Sequence, residues 1–195
     1  MNSKKILPIE PRQSRSKKKF EEILDSAEQI IFQGKFNLTF INLSSYSKFK
    51  RASIYKYFPS IESLYIGILS RHLKKFSELL GNNFKGKKNL DLSLCLNIYI
   101  DLFAIYSLKN IHIAEVISMC DVISINKSSL NKTSFVEILL SCLDQQEIKY
   151  SQEKLKLATL LATTILLTRL AENKSINPRT IAEAKKATLA YLNTP

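Results

Sequence analysis

Almost everywhere along this chain apolar residues return after three or four positions, the period of a helix with one buried face. A strand would alternate at two. Only 4 Gly and 5 Pro punctuate the 195 residues, which leaves little turn chemistry for joining strands, so an all-α fold of about nine helices is expected. The first helix reads as 14–34, with Phe20, Ile23, Leu24, Ala27, Ile30 and Ile31 as its stripe and Gly34 as its stop. Two short helices follow at 39–46 and 50–57, and Pro59 forces a break. Ser60 can cap a helix over 60–80, with Glu62 near its positive end and Gly81 just beyond it. The loop 82–89 leads to helices at 90–108, 111–125, 134–145, 151–172 and 178–193. The last start is marked by Asn177 as cap and Pro178 in the first turn.

Charge is unevenly placed. The formal net charge is +12, and residues 1–60 hold twelve Lys and Arg against five acids. Such clustering attracts polyanions, either nucleic acid or an anionic membrane surface, although lysine chosen for solubility also produces it. Cys95, Cys120 and Cys142 are an odd number, far apart, with only 2 His in the chain, so neither a disulfide framework nor a zinc spacing is present. No cofactor or metal is expected, and a reducing cytoplasm suits the thiols. Residues 1–7 begin like the basic head of a signal peptide, but Pro8, Glu10 and Pro11 stand where its apolar run would be. The apolar stretch 157–167 contains three threonines and is short of the roughly 20 residues that span a bilayer, so no membrane association is expected.

Three helices over 14–57, the second and third short and closely joined, form the arrangement of a helix-turn-helix. One helix crosses the phosphate backbone while the next lies in the major groove. The groove helix must be apolar on one side and polar or basic on the other. In 50–57, Ile54 and the following Phe58 suit the inner side, and Lys50, Arg51, Ser53, Lys56 and Tyr57 the outer. Some residues admit two readings. Tyr55 and Phe58 also suit the core of a three-helix unit, and Lys17, Lys18 and Lys19 an ordinary solvated helix start. The arm 1–13, with Lys4, Lys5 and Arg12, is either a disordered tail or a minor-groove contact.

Gly34, Thr39, Leu43, the run Ser53, Ile54, Tyr55, Lys56, Tyr57, Phe58, then Pro59, Ser60, Glu62, Ser63 and Leu64 resemble the DNA-binding domain of the TetR family of bacterial transcription regulators. Tyr55 stands twenty-one residues after Gly34, the separation of the family pattern. By motif the resemblance covers residues 15–65; beyond them it rests on helix number and length. It implies a cytoplasmic homodimeric repressor that binds a palindromic operator in double-stranded DNA and is released by a small-molecule inducer. It also implies phosphate or sugar contacts from Thr39, Tyr55 and Tyr57. The chain departs from the family at Lys48, where the turn has Gly, at Lys50, where a small cap is usual, and at Ile61, where a phosphate-binding Lys is common. A left-handed lysine costs roughly 1 kcal/mol, so either the turn at Lys48 is strained or it has another geometry. Lys48, Lys50, Arg51 and Lys56 bring positive charge that offsets these departures.

The expected organisation is a flexible basic arm (1–13), a helix-turn-helix DNA-binding domain (14–59) and a larger helical domain for ligand binding and dimerisation (60–195). In the last two helices Leu160, Thr164, Leu167, Ile181, Ala184, Ala187 and Tyr191 are candidates for a two-copy interface, or else for an intramolecular core. Tyr99, Phe103, Tyr106, His112, Met119 and Cys120 are candidates for an inducer pocket, or else plain core. An enzyme is not expected, since no glycine loop for phosphates, metal cluster or activated nucleophile is visible. The rival reading is a basic helical scaffold or membrane-surface protein.

Overall fold

The computed structural model describes residues 7–34, 37–87, 90–118 and 151–194. The helix expected at 134–145, the far end of the one at 111–125, and Met119, Cys120 and Cys142 lie outside them. All regular structure in the described residues is helical: α1 (Ser14–Gln33), α2 (Phe40–Tyr46), α3 (Arg51–Tyr57), α4 (Ile61–Phe84), α5 (Leu92–Lys109), α6 (Ile113–Ser118), α7 (Gln152–Asn173) and α8 (Pro178–Leu192). They fall into two units. One takes the chain up to His72 together with Glu115 and the residues directly after it; the other takes Leu73–Ala114 and the chain from 151 onward.

In the first unit α1 buries Phe20, Ile23, Leu24, Ala27, Ile30 and Ile31, the stripe its period marks out. Each fully buried Ile or Leu stabilises by roughly 1.5–3 kcal/mol. Gly34 ends the helix at φ 60°, where its N–H reaches the carbonyls of Ile30 and Ile31. The helices α2 and α3 have 7 residues each, too few to persist alone in water, so packing must hold them. Leu43, Ile54, Tyr57 and Phe58 supply that packing, and Phe58 stacks on Phe20 with centroids 4.7 Å apart.

Ser60 and Ser63 cap α4 reciprocally: Ser63 N–H donates to Ser60 Oγ at 3.2 Å, and Ser60 N–H to Ser63 Oγ at 3.1 Å. Gly81 does not stop this helix, contrary to expectation. The apolar series Phe76, Leu80 and Phe84 is buried and carries the helix to Phe84, and the left-handed glycine is Gly86, at φ 78°.

In the second unit α5, α7 and α8 pack on one another. Asp91 caps α5 by accepting from Leu94 N–H at 2.7 Å, and Asn177 caps α8 by accepting from Thr180 N–H at 2.8 Å. Among the described residues α5 is the helix long and apolar enough to cross a membrane, with a mean hydropathy of 1.4. It buries Cys95, Leu96, Tyr99, Ile100 and Phe103, as core helices do.

Candidate nucleic-acid interface

Thr39 starts α2 in extended conformation, and its Oγ1 accepts from Asn42 N–H at 3.1 Å. That bond satisfies one of the helix's orphan donors and leaves the exposed hydroxyl its own proton to donate. Ser47, Lys48, Phe49 and Lys50 join α2 to α3. Ser47 (φ −99°, ψ 167°) and Lys50 (φ −67°, ψ 146°) are extended, and Lys174 is the non-glycine residue at positive φ among those described. Lys48 is therefore not left-handed: the turn has another geometry, and the left-handed penalty does not arise there. Its ammonium sits 2.9 Å from Glu22 on α1, and this contact holds the Glu22 carboxyl below its ordinary value. Lys48 thus ties the turn to α1, with its side chain still 70% exposed.

The helix α3 turns Ile54 and Tyr57 inward and leaves Arg51, Ala52, Ser53, Tyr55 and Lys56 exposed, with Lys50 exposed at its start. Tyr55 is 51% exposed and packs edge-on against Phe40 at 4.6 Å, so its hydroxyl is carried on a ring steadied by α2. Tyr57 corrects the expectation that it faces outward. It follows Ile54 by three positions and so shares the inner face; it is only 5% exposed and meets Phe20 edge-on at 6.0 Å. Phe58 is wholly buried, which settles its two readings for the core. Lys17, Lys18 and Lys19 are exposed.

Two concavities flank these elements and differ in charge. A cleft of about 340 Å³ on the α1–α2 side is lined by Glu22 and Asp25 as well as Lys48, which disfavours a polyanion. A groove of about 290 Å³ beside the end of α3 is lined by Arg12 and Lys56 with no carboxylate.

The first unit also holds an ionic cluster that the sequence did not announce. The Arg71 guanidinium lies 2.6 Å from Asp25, 2.7 Å from Glu28 and 3.2 Å from Glu21, and His72 Nε2 lies 3.0 Å from Glu28. The spacing of Glu21, Asp25 and Glu28 along one edge of α1 was the available signal.

In the second unit Tyr99, Phe103 and Tyr106 come together around Phe76, with ring centroids 5.8, 5.3 and 5.5 Å from it. Tyr99 is buried and shares a 2.9 Å hydrogen bond with Thr163; burial outweighs the opposite effect of that bond and pushes its hydroxyl up to about 12. His112 is half-buried in the turn between α5 and α6. Of the interface candidates, Leu160 (59% exposed) and Thr164 lie on the outside of α7, and Leu167, Ile181, Ala187 and Tyr191 are half-buried. Ala184 is corrected: it is wholly buried on the α8 stripe with Thr180, Thr188 and Leu192, inside the chain, and cannot meet a partner.

No protein-family model matches the chain, and no curated protein matches it.

Proposed function

We propose that this protein is a DNA-binding transcription regulator of the TetR kind, a cytoplasmic homodimeric repressor without enzymatic activity. In this reading α2, the turn and α3 are a helix-turn-helix; α3 enters the major groove of a palindromic operator, and a small inducer bound elsewhere in the chain releases it. The observation that carries the reading is the division of α3. Its inner side holds Ile54 and Tyr57 in the core, while Arg51, Ser53, Tyr55 and Lys56 stand together on the open side. Cationic and hydroxyl donors on a helix fixed from behind are what phosphates and base edges require. Thr39 and Lys50, exposed at the starts of α2 and α3, suit backbone contacts.

Footprinting on the DNA upstream of the protein's own gene tests this. A protected palindrome, preferred at least about a thousandfold over random sequence, is expected. Retention on anionic vesicles with no such preference would favour the basic scaffold instead. Lys50→Ala and Arg51→Ala are each expected to weaken binding and to reduce the slope of log K against log salt by about 0.9 for every phosphate that is no longer neutralised.

A further inference from the structure

We propose that residues 7–12 form a strap that fixes the C-terminal end of α3 and places Arg12 beside Lys56 as an additional contact to a DNA phosphate. The Arg12 role rests on the DNA-binding reading above; the strap does not. With 7 residues α3 cannot hold itself, and Lys50 at its start makes no side-chain capping bond. Its last carbonyls lack partners within the helix. One of them, the carbonyl of Tyr57, accepts from Ile9 N–H at 2.8 Å. The part of the expected flexible arm from residue 7 onward is therefore tied to the candidate reading helix itself, while Lys4 and Lys5 lie outside the described residues.

The local sequence favours such a strap. Pro8 and Pro11 have φ held near −65°, and each pushes the residue before it, Leu7 and Glu10, toward extended backbone. A segment so restricted loses less entropy on docking. Beyond Pro11 the strap delivers Arg12 to the groove that Lys56 lines from α3, with Gln13 and Ser16 of the α1 start beside them. Two cations, an amide and a hydroxyl, with no carboxylate in the lining, suit a phosphodiester, and the guanidinium fork matches phosphate oxygens two at a time. The acid-lined cleft on the α1–α2 side lacks this character.

The test has two readouts on the full chain. Ile9→Pro removes the donor N–H, while Ile9→Ala keeps it. Amide exchange over residues 54–58 is expected to quicken about tenfold in Ile9→Pro and to stay unchanged in Ile9→Ala, with α1 protected in both. Unchanged exchange in Ile9→Pro overturns the strap. Arg12→Ala is expected to leave exchange as it is, yet to reduce by about 0.9 the salt slope of binding to a random-sequence duplex of about 30 base pairs, with Arg12→Lys restoring it. An unchanged slope overturns the phosphate contact. If the unaltered protein binds no duplex, the DNA-binding reading falls and the Arg12 role with it, while exchange still decides the strap.

Discussion

Arg71 gathers Glu21, Asp25 and Glu28 of α1 around one guanidinium whose side chain is only 9% exposed. Glu21 and Asp25 are more than half exposed and add little, so the weight of the cluster falls on Glu28. Burial alone would raise the Glu28 carboxyl, but contacts from His72 and Arg71 outweigh it and hold it at about 2. Because the folded value lies below the ordinary 4.5, the carboxylate's contribution to stability is complete above pH 4.5 and is lost as pH falls toward about 2. Urea denaturation at stepped pH should show stability declining across that window, with a flatter decline in Glu28→Gln. Arg71→Ala at neutral pH leaves Glu28 without its guanidinium and should cost about 3 kcal/mol in the same measurement. The acidic edge of α1 could be read from spacing. Its partner could not, since Arg71 lies some fifty residues along the chain in α4, beside Lys74 and Lys75, and spacing alone does not say which cation meets α1.

At the scale of elements, the short helices depend on close approach to α1 and α4. Gly67 shows how close: a Cβ there would lie 2.9 Å from Phe58 Cε1 and 3.2 Å from Leu24 Cδ2. Gly67→Ala is therefore expected to destabilise by about 1–3 kcal/mol in a thermal melt, through overpacking that the stacked Phe20–Phe58 pair resists. Tyr57→Ala should cost about 3 kcal/mol by emptying the inner side of α3, whereas Tyr55→Phe should leave stability within about 0.5 kcal/mol. The helix starts at Ser60 and Asn177 are marked by a capping side chain in the sequence, whereas Asp91, inside the helix expected over 90–108, turns out to be the cap of α5. Nor was the end of α4 legible, because Gly81 signals a stop that Leu80 and Phe84 override by packing.

For the whole molecule, α7 is decisive because it is apolar on two sides. Leu155, Ala158, Ala162, Leu166 and Leu170 are buried within the chain, while Leu157 (48%) and Leu160 (59%) remain exposed. Under the homodimer reading that outer side meets a second copy. Leu160→Glu should then convert dimer to monomer in sedimentation velocity without loss of helical circular dichroism, whereas Leu166→Glu should reduce helicity by placing a charge in the core. The helical character of the described residues, the Gly34 stop, the capped starts at Ser60 and Asn177 and the polar outer side of α3 follow from local chemistry, and the sequence determined them by itself. Only the tertiary structure decided that Ala184 is enclosed, that Arg71 answers three acids of α1, and that Ile9 N–H bonds to the end of α3. The reason is physical. A helical period names an apolar face, but which of two faces is covered, and by what, is a property of contacts between residues distant in the chain.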